Sequence, residues 1–219
     1  MEIVSKKYCD FRDFVGFVAL LILLFPTPLI SQEYDLIILN GRVIDGSGNP
    51  WYQADIGVMG DRIMEIGELS GKKAGHVIDA RGLVVSPGFI DPHTHALRGI
   101  FDVPNAESAL LQGVTTLTEG NDGSSPYPID RHYADIEDLR ISPNWAVFVG
   151  QGTIRQRVIG FGLRKASPQE MDRMKQMVRD AMEQGALGIS TGLFYVPGSF
   201  TSTEEVIELS KVAAEYNGI

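Results

Sequence analysis

The sequence predicts an α/β protein in which a small β-sandwich precedes the first half of a (β/α)8 barrel. Three observations predict it. Short β-branched runs separated by glycine turns fill residues 34–86, strands alternate with helices from Pro87-Gly88 onward, and two histidines, His93 and His95, stand at the end of the first strand of that second region.

Ahead of both regions, residues 1–31 read as a signal peptide or an N-terminal anchor. Phe14 to Phe25 is an apolar run, with Lys6, Lys7 and Arg12 before it and Pro26 and Pro28 ending it. The run is shorter than the roughly 20 residues that span a bilayer, which favours a cleaved leader and a secreted or periplasmic protein; an uncleaved anchor is the alternative. The single cysteine, Cys9, lies in this segment. The folded body is therefore expected to have no intramolecular disulfide and no cysteine-based zinc site or nucleophile.

Residues 34–86 are the expected β-sandwich. Asp35–Leu39 runs into Asn40-Gly41, Arg42–Ile44 into Asp45-Gly46, and Ala54–Val58 and Arg62–Ile66 flank Gly60-Asp61. Asn-Gly and Asp-Gly between such runs are strong hairpin signals. His76–Ala80 and Arg81–Val85 complete the set.

Residues 87–219 are the expected partial barrel, strands one to four. The strands are Phe89–Asp91, Val114–Thr118, Trp145–Val149 and Leu187–Thr191. Ser167-Pro168-Gln169-Glu170 supplies an N-cap, a first-turn proline and a capping-box glutamate for a helix that carries Met171, Met174, Val178 and Ala181 at helical spacing and closes at Gly185. A second helix opens at Ser202 with Glu205 as its box partner, and Val206, Leu209, Ala213 and Tyr216 form its apolar face. Strand–helix repetition with β-branched strands implies a parallel sheet. A closed barrel needs eight strands and roughly 250 residues, so the expectation is a truncated gene product, a gene fragment or a partial chain; an open doubly wound sheet is the rival account.

Composition narrows the partners. Acidic residues outnumber basic ones by 28 to 19 and no Lys/Arg cluster forms, so the electrostatic footprint of a nucleic-acid binder is absent. Beyond an N-terminal anchor, nothing predicts a stable membrane partner. Exposed sheet edges and helix faces of an incomplete barrel predict self-association.

The chemistry sits in Asp91-Pro92-His93-Thr94-His95. Residues two apart in extended backbone project to the same side, so one metal ion can take both imidazoles. They lie at the C-terminal end of a strand, where barrel enzymes place functional groups. Lys165 reads as solvated, and His132 and His76 read as surface residues.

Together these residues resemble the amidohydrolase superfamily, and within it the N-acyl-D-amino-acid deacylase, or D-aminoacylase, branch. The resemblance runs from about Tyr34 to Ile219 through Ile44–Gly48, Asp79–Gly82, the histidine pair, Gly113–Thr116, Gly120–Gly123 and Gly185–Leu193. It implies a barrel packed on a β-sandwich and one or two divalent metal ions, usually Zn2+, held by His93 and His95. In the branch the next ligand is a cysteine within a Gly-Asn-Cys-Gly turn, and Asp122 stands there in this chain. A carboxylate ligand, harder than thiolate, and an Asp that caps a glycine-flanked turn are both open readings. Tyr195 matches a tyrosine that contacts the acyl-amino-acid substrate in the family, and a loop-packing role is its alternative.

The resemblance further implies two more histidine ligands and an Asp general base on strands beyond residue 219, so no catalytic residue is assigned within this chain. The function it implies is metal-dependent hydrolysis of N-acyl-D-amino acids, a non-peptide C–N bond, by the full-length enzyme. The present chain is expected to bind metal weakly and to be inactive. The alternatives are an amidohydrolase of cyclic or small amides, and a non-catalytic half-barrel that acts by self-association. An open-sheet hydrolase lacks support, since neither a Gly-x-Ser-x-Gly elbow nor a Gly-x-Gly-x-x-Gly loop occurs.

Overall fold

The computed structural model describes residues 34–219, and the leader expected over 1–31 lies outside the described residues. The chain divides into two compact units, one ending at Pro87 and the other beginning at Gly88. Among the described residues no helix is long and apolar enough to cross a membrane.

The first unit contains β1 (Tyr34–Val43), β2 (Tyr52–Met59), β3 (Arg62–Gly67), β4 (Ala74–Asp79) and β5 (Val84–Val85). β2 pairs antiparallel with β1 and β3, while β4 and β5 run parallel to β1. Every strand is thus bonded to β1 or β2, and residues 34–86 supply one five-stranded layer. The Gly60-Asp61 turn closes the expected hairpin, with Met59 opposite Arg62.

Asn40-Gly41 departs from expectation. Instead of turning, the chain continues as β1 through a bulge between Ile38 and Gly41. Asn40 takes a φ of 60°, its backbone N–H donates to Asp55 Oδ1 at 2.7 Å, and its side-chain amide donates to Asp79 Oδ1 at 2.8 Å. These carboxylates, distant in sequence, satisfy the groups that a hairpin would have left to its own turn.

In the second unit all strand pairings are parallel. β6 (Phe89–Asp91) pairs with β7 (Val114–Glu119), β7 with β8 (Asn144–Val147), and β9 (Val149–Gly150) with β10 (Ile189–Ser190). The expected third strand is therefore split at Phe148. Its first half faces β7 and its second faces β10, with Phe148 N–H donating to Glu119 O at 2.8 Å and Val149 N–H to Gly188 O at 2.9 Å. On the other side of β10, Ile189 N–H donates to Ile219 O at 2.8 Å. Four strand positions thus follow one another in chain order, the arrangement that a (β/α) barrel repeats.

The helices are α1 (Glu107–Leu110), α2 (Ile129–Leu139), α3 (Gln151–Val158), α4 (Pro168–Glu183) and α5 (Thr203–Glu215). Both halves of the Ser167/Glu170 capping box form, and Arg164 beside Glu170 holds that carboxyl well below the usual carboxylate range. Met174, Val178 and Ala181 of α4 and Leu209, Val212 and Ala213 of α5 pack with Val147, Val149, Ile129 and Ile154 in one buried core. Each of the Val, Ile, Leu and Met side chains contributes about 1.5–3 kcal/mol by leaving water, and the two alanines less.

Two readings are corrected here. Glu205 donates its backbone N–H to Ser202 Oγ, as a box position should, but its side chain is buried and accepts from Arg155 and Gln151 of α3. The inward face of α5 is accordingly Glu205, Leu209, Val212 and Ala213. His132, read as a surface residue, is buried at 6% exposure. Its Nε2 accepts from Trp145 Nε1 at 2.9 Å, and burial holds its pKa below the ordinary histidine value.

Candidate metal centre

β6 ends at Asp91, whose Oδ1 accepts the backbone N–H of His93 at 3.1 Å. The next residues alternate. Thr94 turns inward and is buried, its hydroxyl lying 3.1 Å from Thr118 O and 2.8 Å from Glu119 Oε1, while its own N–H reaches Thr118 O at 3.1 Å. With Thr94 pinned to the end of β7, the residues on either side are turned the other way. The His93 and His95 rings lie 5.5 Å apart between centroids, at 75° to one another.

Asp122 comes from the turn that follows β7. Asn121 secures the turn by donating from Nδ2 to Thr118 O at 2.9 Å and to Thr94 O at 3.3 Å, so one amide joins both segments of the site. Ser190 of β10 holds the turn from the other side: its hydroxyl donates to Gly120 O and accepts from Gly123 N–H. The contact has no room for side chains. A Cβ on Gly192 would lie 1.9 Å from Asp122 O, and one on Gly120 would lie 2.0 Å from Phe148 O. Asp122 itself has left-handed backbone, φ 56°, a conformation that Asp tolerates better than most residues.

The result is a convergent donor set. Asp122 Oδ2 lies 3.5 Å from His93 Nε2 and 3.4 Å from His95 Nε2, and one ligand atom from each of the three residues lies within 4.8 Å of the others. Donors bonded at 2.0–2.2 Å in a tetrahedral shell sit about 3.4 Å apart, whereas a charge-assisted hydrogen bond would draw nitrogen and oxygen to about 2.8 Å. The spacing fits a shared ion better than direct pairing. The site is open to solvent, with side-chain exposures of 55% for His93, 53% for His95 and 36% for Asp122.

A cavity of about 420 Å³ opens beside these donors, and His95, Asp122 and Tyr195 line it together. Tyr195 N–H donates to Gly192 O at 2.9 Å, so the loop carrying the ring is tied to the glycine that supports Asp122. Leu97, Arg98, Glu119, Asn121, Ser124 and Val196 complete the lining; sequence reasoning singled out none of them as a site residue. A carboxylate at the C-terminal end of a parallel strand was the available signal for Glu119. That residue is 4% exposed and accepts from Thr94 Oγ1 and, at 2.9 Å, from Leu97 N–H. Lys165 and His76 are exposed and line no part of this cavity.

The amidohydrolase family model matches residues 76–217. The chain is 40% identical over 212 residues to the D-aminoacylase of Alcaligenes xylosoxydans xylosoxydans, covering 86% of this chain and 44% of the relative. To the N-acyl-D-glutamate deacylase of the same organism it is 35% identical over 207 residues, covering 84% and 42%. It is similar in structure to the N-acyl-D-glutamate deacylase of Bordetella bronchiseptica complexed with zinc and a phosphonate inhibitor, with a TM-score of 0.82 at 33% identity over 86% of this chain and 44% of that one. The chain spans less than half the length of these relatives.

Proposed function

Because this chain belongs to the amidohydrolase family, we propose that the whole protein hydrolyses the amide bond of N-acyl-D-amino acids at a divalent metal ion, Zn2+ in the first instance, held by His93, His95 and Asp122. The observation that carries the proposal is the 3.4–3.5 Å spacing of two imidazole nitrogens from one carboxylate oxygen, at the edge of a cavity large enough for a small amide. The similarity to proteins named as D-aminoacylase and N-acyl-D-glutamate deacylase supports the substrate class.

A bound divalent ion supplies Lewis acidity toward the acyl carbonyl and a nucleophilic water near neutral pH. The protein residues do the rest. His93 and His95 offer neutral nitrogen donors and Asp122 one negative charge, so the set leaves a divalent ion with net positive charge facing the cavity. Thr94, Asn121 and Glu119 fix the geometry of those donors through the hydrogen bonds described above. Tyr195, on the cavity wall, offers its ring and hydroxyl to the acyl-amino-acid substrate. Three donors suffice to hold an ion weakly, and the deacylase activity is assigned to the whole protein rather than to residues 34–219 alone. The N-terminal apolar run supports export, with the chemistry outside the cytoplasm.

Metal content and activity test this reading. Protein stripped with a chelator and re-supplied with zinc is expected to regain the ion in proportion to intact His93, His95 and Asp122. Hydrolysis of N-acetyl-D-amino acids by the whole protein should follow metal content and discriminate against the L-enantiomers. Equal zinc content in wild type and a His93→Ala/His95→Ala variant would refute it.

A further inference from the structure

We propose that Arg98 binds the free carboxylate of the substrate, so that the cavity selects amides carrying an anionic group beside the scissile bond; this inference rests on the deacylase reading above. Arg98 is the one lining residue with a permanent positive charge. Of the other charged groups at that wall, Asp122 holds the ion, and Glu119 is buried and accepts from Thr94 and Leu97, so neither can pair with an anionic substrate. With the ion's positive charge directed at the acyl carbonyl, Arg98 is the side chain among the described lining residues that can pair with the free carboxylate of an acyl-amino acid.

The base of this side chain is fixed and its head is free. Arg98 ends a single 3-10 turn, Ala96–Arg98. Glu119 Oε1 accepts Leu97 N–H within that turn, and Gly99 and Ile100 both donate their N–H groups to Ala96 O, at 2.9 and 2.8 Å. Ile100, at 2% exposure, anchors the far end in the interior. By contrast, among the described residues the guanidinium of Arg98, like those of Arg131, Arg140 and Arg173, has no hydrogen bond or ion pair, and of these four arginines Arg98 alone lines this cavity. An unengaged guanidinium on a rigid turn at the rim of a cavity is suited to a bidentate grip on a carboxylate. Leu97 and Val196 offer apolar surface to the remainder of the ligand.

The test compares N-acetyl-D-leucine with N-acetyl-D-leucinamide, in which the carboxylate is blocked, on zinc-loaded wild type, Arg98→Gln and Arg98→Lys. Calorimetric binding and, in the whole protein, KM and kcat are the readouts. Arg98→Gln should weaken binding and raise KM about tenfold or more for the carboxylate, the loss expected for a charge-assisted contact. The carboxamide should shift less than twofold, and Arg98→Lys should recover part of the loss. With zinc bound in every variant, an unchanged carboxylate affinity in Arg98→Gln, or an equal loss for both probes, overturns the Arg98 assignment alone. A wild-type protein that holds no zinc overturns the deacylase reading, and the Arg98 assignment falls with it.

Discussion

Removing the Glu119 carboxylate should loosen the metal centre without touching any of its three donors. Its Oε1 accepts from the Thr94 hydroxyl at 2.8 Å and from Leu97 N–H at 2.9 Å, and the residue is almost wholly buried. Hydrogen bonds to a charged group contribute about 1.5–3 kcal/mol each. Glu119→Ala breaks both, and the Thr94 hydroxyl retains Thr118 O as a second partner, so the net cost is about 3 kcal/mol rather than the sum of the upper values. Glu119→Gln keeps an acceptor oxygen for both donors and loses only the charge, about 1–2 kcal/mol. Urea unfolding followed by tryptophan fluorescence measures the stability, and chelator competition measures zinc affinity. Because Thr94 stands between the two histidines, affinity should fall about 10–100-fold in Glu119→Ala, the range seen when groups that orient metal ligands are removed. A folded Glu119→Ala protein with zinc affinity within twofold of wild type would refute the reasoning.

Three further perturbations separate the site from its scaffold. Asp122→Asn, which keeps the shape and removes the charge, should lower zinc affinity at least about tenfold, whereas Asp122→Cys should retain binding and move preference from Mn2+ toward Cd2+ in competition assays, as a softer donor does. Glu205→Ala leaves the fully buried Arg155 without its counter-charge, and should cost about 3–5 kcal/mol in urea unfolding. The Arg155→Met/Glu205→Leu pair should cost much less, because neither charge then remains buried. His132 has its pKa held below the ordinary value by burial, so the unfolded chain takes up a proton first as pH falls. Stability supported by this residue is complete above the unfolded pKa of about 6.5 and declines as pH falls toward the folded value. Unfolding free energies at pH 7.5 and 5.5 should therefore differ more for wild type than for His132→Gln.

What could be read from the sequence depended on how far each feature reaches along the chain. The capping box at Ser167 and the turn at Gly60 are settled within four residues, and both form. The histidine pair is equally local, since the alternation about Thr94 sets its direction. Asn40-Gly41 has the chemistry of a hairpin turn and becomes a bulge because Asp55 and Asp79 engage Asn40 from other strands. Glu205 satisfies a local pattern in its backbone, while its side chain serves Arg155, 50 residues away. α2 and α3 escaped notice because Pro128 and Gly150 stand at their N-caps and no side chain caps either helix. His132 is hidden by Trp145, a partner 13 residues away. Nothing in the chain order announces that pairing.

The placement of Asp122 shows the same dependence on distance in its strongest form. Gly120–Gly123 and Gly185–Leu193 read along the chain as two separate landmarks, yet in three dimensions they act on a single carboxylate. Ser190 and Gly192 of the second segment hold the backbone of the first, and the Gly192 contact leaves no room for a Cβ. The donor can therefore differ in type, carboxylate here or thiolate in the family resemblance, while the device that aims it stays the same. Position is set by the close Gly192 contact and by the Asn121 and Ser190 hydrogen bonds to the turn, none of which uses the side chain at residue 122. On the proposed metal reading, charge and softness follow from that side chain, so exchanging it should change metal preference without rebuilding the turn.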